Sequence, residues 1–206
     1  MLDFGQNIAG YVQFTLRAAA GRKLKLRFGE LLDDRGEFTQ KNIQCANKKR
    51  TRVTPLQQIL YTCREGVNEY KTKFAIFGFR YVRVEGDADW KAEDFTAIAV
   101  YSDMEQTLSF SCSHPLIAQF VKNTLWSAKN NHADVPTDCP TRERHGWTGD
   151  AQIFVNTATY LFGYGAFARK YIADMRDGQH RNGCYRQISP KGGVDFYMNN
   201  MDGSAG

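Results

Sequence analysis

Two periodicities divide the chain. In "KLKLRF" the apolar residues Leu24, Leu26 and Phe28 alternate with Lys23, Lys25 and Arg27, which is the period of a strand with one buried face. "YVQFTL", "KTKFAIF", "FRYVRVEG" and "FTAIAVYS" are further runs rich in Val, Ile, Phe and Tyr, the residue types that suit a pleated surface. Gly5, Gly10, Gly21, Gly36, Gly66, Gly78 and Gly86 punctuate them and read as turns. Several short strands with turns between them predict an antiparallel β-sandwich. The period changes near Met104 to Phe110. Ser113 is an expected helix N-cap with Pro115 in the first turn, and Leu116, Ile117, Phe120, Val121, Leu125 and Ala128 follow at helical spacing. A second helix is expected from about Asp150, with Ile153, Phe154, Thr157, Ala158, Leu161 and Phe162 on one side. A third carries Phe167, Tyr171, Ile172 and Met175 and stops at Gly178. The pattern divides the chain into a β-domain over residues 1–105 and a helical domain over residues 106–206.

The connection from about His132 to Gly149 breaks both periods. It is long for a helix hairpin, where roughly 2–8 residues is usual, and long ordered loops are disproportionately functional. It contains "PTDCPTRERHGWTGD". Pro136 and Pro140 bias Val135 and Cys139 toward extended backbone, which stiffens the segment around Asp138. Asp138, Glu143 and Asp150 lie close together in it. Paired carboxylates can break glycosidic bonds, one giving a proton to the leaving oxygen and another activating water or attacking. An aromatic face such as Trp147 suits the C–H side of a sugar ring. Structural roles compete for each residue: a helix N-cap for Asp150, an Asx-turn before Pro140 for Asp138, a surface ion cluster with Arg142 and Arg144 for Glu143, and a core position for Trp147.

Composition narrows the field. The chain has 206 residues, 42% hydrophobic, 24% charged and 13% aromatic, with a formal net charge of +5, ordinary for a globular protein. The densest basic run, "NKKRTR" (Asn47–Arg52), reads as a solvated loop rather than a nucleic-acid patch. Cys45, Cys63, Cys112, Cys139 and Cys184 are scattered, odd in number and without a CxxC pair, so neither a disulfide framework nor a zinc ribbon fits. Free thiols, and hence a reducing compartment, are favoured. Cys139 with His145 matches no zinc spacing, and Cys-Pro is an awkward setting for a nucleophile. There is no GxGxxG, no P-loop and no long apolar run. The expectation is an enzyme or binding protein with no cofactor, no metal, no nucleic acid and no membrane span. The chain starts in "LDFGQNIAGYVQF" and stops in "NMDGSAG" without a terminal helix or strand signal. It reads like a piece of something longer.

"DCPTRERHGWTGDAQ" (Asp138–Gln152) resembles the signature of bacterial α-L-rhamnosidases, glycoside hydrolase family 78. "LDFGQNIAGYVQF", "RFGELLDDRGE" and "FGFRYVRVEG" resemble the concanavalin-like β-sandwich that precedes that family's catalytic domain, and "SDMEQTLSFSCSHPLI" resembles the join to its (α/α)6 barrel. The resemblance covers essentially the whole chain, with motifs in the right order. It implies a β-sandwich followed by the first helices of an incomplete six-hairpin barrel, and removal of terminal α-L-rhamnose with inversion. It implies Glu143 as general acid, with Asp138 and Asp150 holding rhamnose hydroxyls and Arg142 and Trp147 lining the same pocket. The family's general base lies further along the chain, beyond Gly206, so the resemblance implies a 206-residue chain that is inactive alone and needs the C-terminal part of the same protein. Thr141 stands where glutamine is frequent, and the interval from Asp138 to Glu143 is one residue shorter than in the commoner family form. The flanking Arg142 and Arg144 favour an ionised Glu143, so the acid role requires both guanidinium groups to point away or be paired elsewhere. Two other readings stay open at this point: a non-catalytic carbohydrate-binding module, and a structural β-sandwich protein. The aglycone, the linkage, the oligomeric state (a homo-oligomer included) and the choice between bacterial cytoplasm and periplasm are not encoded in these motifs.

Overall fold

The computed structural model describes residues 1–43 and 57–191. The basic run at Asn47–Arg52 and Cys45 lie outside the described residues. Contacts divide the chain into two compact units, Met1–Val100 with Pro140–Arg142, and Tyr101–Cys139 with Glu143–Gly206.

The first unit is a curled antiparallel sheet of β1 (Leu2–Ala18), β2 (Lys23–Gly29), β3 (Gln58–Thr62), β4 (Gly66–Tyr70), β5 (Phe77–Gly86) and β6 (Phe95–Ala99). The order runs β3-β2-β5-β1-β4, and β6 also pairs with β1. Gly10 of β1 lies opposite both Phe77 of β5 and Ala99 of β6, while Phe14 lies opposite both Tyr70 of β4 and Phe95 of β6. A strand has two edges, so β5 and β4 follow one another along one edge of β1 and β6 takes the other. One strand therefore ties the sheet together.

The "KLKLRF" alternation is realised in β2, where Leu24, Leu26 and Phe28 are buried. Phe28 stacks on Phe77 at 4.3 Å between ring centroids and meets Phe79 edge-on at 5.0 Å. A second aromatic group joins Phe14, Tyr61, Tyr70 and Phe95, linking β1, β3, β4 and β6 on the inside of the curl. Buried Asn68 holds the β3–β4 connection. Its Oδ1 accepts from the Tyr61 hydroxyl (3.1 Å) and the Arg64 N–H (2.9 Å), and its Nδ2 donates to the Arg64 and Gly66 carbonyls, both at 3.0 Å. Asn68→Ala strands all four of these groups. We expect a loss of about 2–4 kcal/mol, with Asn68→Asp costing at least as much, because its second carboxylate oxygen would replace the Nδ2 donor, face the Arg64 and Gly66 carbonyls and bury a charge; urea unfolding of both variants checks the order.

Several expectations need correction. The N-terminal stretch, where no terminal strand signal was read, is a strand from Leu2, seventeen residues long, with "YVQFTL" as its second half. Its alternation is masked by a bulge between Asp3 and Ile8, where Gly5 takes a positive φ of 76° and Asp3 bridges to Arg80 through both carboxylate oxygens at 2.8 Å. Gly10 and Gly78 are not turn residues but lie inside paired strands. At Gly10 a Cβ would fall 1.9 Å from the Ile98 carbonyl oxygen, so β6 could not approach any other residue there. "KTKFAIF" is not a strand: β5 starts only at Phe77, and Phe74 is 95% exposed.

The second unit holds α1 (Pro115–Asn130), a short hairpin of β7 (His132–Ala133) and β8 (Val135–Pro136), α2 (Thr148–Leu161) and α3 (Gly165–Asp177). His114, not Ser113, precedes α1, with Pro115 at its first position. Trp147, not Asp150, is the N-cap of α2, so the helix starts earlier than expected and Asp150 sits in its first turn, where a carboxylate favours the helix dipole. Gly178 ends α3 as expected. Ala158, Leu161, Phe162, Tyr164 and Phe167 form the buried centre, with Ala128. Much of the expected apolar stripe faces outward instead: Leu116 and Phe120 on α1, Ile153 on α2 and Ile172 on α3 are exposed. Among the described residues, no helix is long and apolar enough to cross a membrane.

Candidate functional site

The segment between α1 and α2 is fastened at several points. The Asp138 N–H donates to the His145 carbonyl (3.2 Å), and the His145 N–H donates back to Asp138 Oδ1 (3.1 Å). This reciprocal pair closes the loop at its base. It replaces the local Asx-turn that the sequence allowed for Asp138 with a longer bridge. Inside the loop, the Glu143 N–H donates to Cys139 Sγ at 3.3 Å, and Arg144 takes a positive φ of 58°, an uncommon backbone state for a side chain of its size. Cys139 is a free thiol whose sulfur serves as an acceptor.

Beyond His145 the chain is clamped against residues 186–189. A Cβ at Gly146 would fall 2.1 Å from the Ser189 carbonyl oxygen, and the Ser189 N–H and Tyr171 hydroxyl both donate to the Gly146 carbonyl at 2.9 Å. Trp147 bridges to Ile188. The Thr148 N–H donates to the Gln187 carbonyl at 2.8 Å, and its buried hydroxyl faces the Arg186 and Gln187 carbonyls, both at 3.2 Å. "HGW" was legible as part of a motif, but the reason for its glycine, a close backbone approach, was not.

A cavity of about 280 Å³ opens beside this loop. Asp138 and Asp150 both line it, from the loop base and from the first turn of α2. Ser127, Asn131 and Thr137 add polar groups, and His132, Phe154 and Tyr164 form its apolar wall. Glu143 and Trp147 are not among its lining residues; both are half-buried in the loop. Arg142 is exposed and is grouped with the sheet unit. Two carboxylates facing one cavity can accept hydrogen bonds from a polyhydroxylated ligand, with Asn131 and Thr137 as neutral partners. Among the described residues, no cluster of His, Cys, Asp and Glu could hold a metal ion.

His132 and Tyr164 were not singled out by the sequence. His132 is buried, with Nδ1–H donating to the Ala128 carbonyl at 2.7 Å, which leaves Nε2 to accept from the Tyr164 hydroxyl at 3.2 Å. The rings of Phe154, Tyr164 and Phe167 surround it. Burial holds the imidazole below its ordinary pKa of 6.5 and pushes the Tyr164 phenol up to about 12. A neutral histidine four residues past a helix carbonyl is a structural wall of the cavity rather than a proton carrier. The folded state resists the proton that the unfolded chain accepts below about pH 6.5. This contribution to stability is therefore complete above that pH and is lost as pH falls through the window beneath it. Urea midpoints measured from pH 7.5 to 4.5 should fall less steeply in His132→Gln than in the wild type.

Residues 1–101 match the model of the bacterial α-L-rhamnosidase concanavalin-like domain, and residues 105–204 match that of the bacterial α-L-rhamnosidase 6 hairpin glycosidase domain. These are two consecutive parts of a glycosidase. The chain belongs to the bacterial α-L-rhamnosidases, glycoside hydrolase family 78. An α-L-rhamnosidase of Streptomyces avermitilis is 32% identical over 193 residues, covering 92% of this chain and 18% of the relative. One from Formosa agariphila is 32% identical over 194 residues, covering 92% and 20%. Among solved structures, the α-L-rhamnosidase from Dictyoglumus thermophilum aligns with a TM-score of 0.83 at 33% identity, over 91% of this chain and 21% of that one. The S. avermitilis enzyme complexed with L-rhamnose aligns with a TM-score of 0.84 at 31% identity, over 93% and 18%. The chain spans about a fifth of the length of the curated relatives it matches.

Proposed function

We propose that this chain is the β-sandwich and the first part of an (α/α)6 barrel, over residues 1–105 and 106–206, of an enzyme that hydrolyses terminal α-L-rhamnosides with inversion. The observation that carries the reading is the cavity of the helical unit, into which Asp138 and Asp150 both face, within a chain whose relatives are named α-L-rhamnosidases. Asp138 and Asp150 accept hydrogen bonds from the rhamnose hydroxyls. Glu143 donates the proton to the glycosidic oxygen. Trp147 offers its ring face to the sugar, and Arg142 lines the same pocket. The flexible part of this chemistry is small, because Asp138 is held by His145 and Glu143 by the Cys139 thiol through its backbone.

Inversion needs a second carboxylate roughly 6.5–9.5 Å from the acid, with a water between them. In the family that base comes later in the chain than residue 206. We therefore expect the 206-residue chain by itself to bind rhamnose weakly at most and to turn over no rhamnoside. Turnover by this chain comparable to that of a full-length enzyme, lost on Glu143→Gln, would place the base inside it and overturn this part of the reading. For the full-length protein the test is stereochemical. Proton NMR of the first product formed from an aryl α-L-rhamnoside should show β-L-rhamnose before mutarotation; α-L-rhamnose as first product refutes inversion.

A further inference from the structure

The loop that carries Asp138 and Glu143 has a tip, Pro140–Arg142, that is grouped with the sheet unit. Thr141, at its centre, is a small polar residue and yet is buried. What it meets is Gly78, in the middle of β5. A Cβ built on Gly78 would fall 2.4 Å from Thr141 Cγ2, 3.1 Å from Pro140 Cγ and 3.4 Å from Glu30 Oε1. The first distance is far inside van der Waals contact, so the methyl of Thr141 occupies the space that any other residue at position 78 would need. The Gly78 N–H is itself fixed, donating to Gln57 Oε1 at 3.0 Å, so the strand cannot easily retreat.

Glu30, one residue past the end of β2, forms the other wall. Its two carboxylate oxygens accept from Asn7 Nδ2 (3.4 Å) and Asn42 Nδ2 (3.1 Å). Burial pushes its carboxyl above the ordinary value, and the two amides and the Arg142 guanidinium oppose that shift. A half-buried acid held by two amides, with an arginine of the loop tip in its field, supplies an anchor of fixed position and matching charge. Nothing in the β-strand pattern requires this: a strand interior disfavours glycine, and a strand end gains nothing from a half-buried glutamate.

We propose that Gly78 and Glu30 form a seat for the loop tip and are positioning residues for the reaction, because Glu143 directly follows Arg142 and takes its aim from where Pro140–Arg142 are held. This rests on the reading of Glu143 as the general acid. A proton donor displaced by about 1 Å can lose on the order of 10²-fold in rate, so one methyl group at the seat has leverage on the chemistry without touching substrate.

The experiment uses the full-length enzyme and an aryl α-L-rhamnoside. Gly78→Ala should lower kcat by about 10–100-fold, with KM within about threefold because the substrate's hydroxyl contacts are untouched. The double variant Gly78→Ala/Thr141→Ser removes the Cγ2 that the new methyl strikes, and should recover most of the lost kcat. Glu30→Gln, which keeps the shape but removes the charge, should lower kcat in the same direction with an unchanged melting temperature, and it decides the matter if Gly78→Ala does not fold. Full kcat in a folded Gly78→Ala, no recovery in the double variant, or full kcat in Glu30→Gln would each overturn the seat. Glu143→Gln is assayed alongside: if it retains turnover, the acid assignment has failed. If it loses turnover while both seat variants keep theirs, the seat alone has failed.

Discussion

Glu143→Gln in the full-length protein lowers kcat by about 10²–10⁴-fold and leaves KM within a few-fold. Glutamine keeps the side chain's volume and the backbone N–H that holds the residue to Cys139 Sγ, so the loop keeps its shape. What is removed is the transferable proton. That proton matters where the glycosidic oxygen gains negative charge, which is in the transition state and not in the bound substrate, so the loss belongs to kcat. The size of the loss follows the leaving group. A rhamnoside with a strongly electron-withdrawing aryl group departs with little help, so the deficit is smallest there. An unactivated sugar aglycone needs the proton most, so the deficit is largest there. Steady-state kinetics on a series of aglycones reads the trend directly. A uniform loss across the series would make Glu143 a binding residue; no loss would remove it from the mechanism. By contrast, Asp150→Asn should raise KM more than it lowers kcat, because its carboxylate faces the cavity from the α2 first turn and would hold hydroxyls in both states.

Phe28→Ala costs about 3–5 kcal/mol of stability. Phe28 is fully buried near the C-terminal end of β2, stacked on Phe77 and edge-on to Phe79. The hole left by its ring lies on three strands paired through backbone hydrogen bonds, β2 with β5 and β5 with β1, which cannot close on it without breaking those bonds. Domains of this size have only about 5–15 kcal/mol to lose, so the variant approaches unfolding at physiological temperature. Leu60→Ala on the neighbouring strand β3 is the control. Leu60 is 70% exposed, and its loss should cost well under 1 kcal/mol. Chemical denaturation followed by near-ultraviolet circular dichroism separates the two, since the aromatic cluster reports on the sheet. A Phe28→Ala effect as small as that of Leu60→Ala would mean that the curled sheet is not packed around that ring.

The sequence displayed the strands whose alternation was uninterrupted and hid those whose alternation was not. β2 was legible because "KLKLRF" has one apolar face and sits in one register with both neighbours. β1 was legible only in its second half, because the bulge at Asp3–Ile8 resets the period and Gly10 imitates a turn. β4 was silent because its buried residue is Asn68, whose four hydrogen bonds substitute for apolar burial, and β3 because Leu60 faces out. The helices were readable, but their starts were displaced by a residue or two, since His114 and Trp147 cap without the side-chain hydrogen bonds that mark a start in sequence. For the site, the carboxylates were visible as composition and as a motif. Which of them share a cavity was not, because that depends on α2 beginning at Thr148 and bringing Asp150 round to face Asp138. His132 and Tyr164 gave no signal at all: an isolated histidine and tyrosine thirty-two residues apart become neighbours only through the turn between α2 and α3.

The threading of β1 also governs the order in which the sheet can assemble. Its partners are spread along the chain, with Tyr70, Phe77 and Phe95 all opposite residues between Gly10 and Phe14. On the ribosome β1 is made before every one of them. It cannot be satisfied on both edges until β6 has emerged, and each pairing must close a loop of many residues, the signature of slow folding. During that interval a long apolar strand waits with open edges, the species most prone to pair with a neighbouring copy. Variants that weaken β6 should therefore lower soluble yield more than they lower the melting temperature of the protein that does fold.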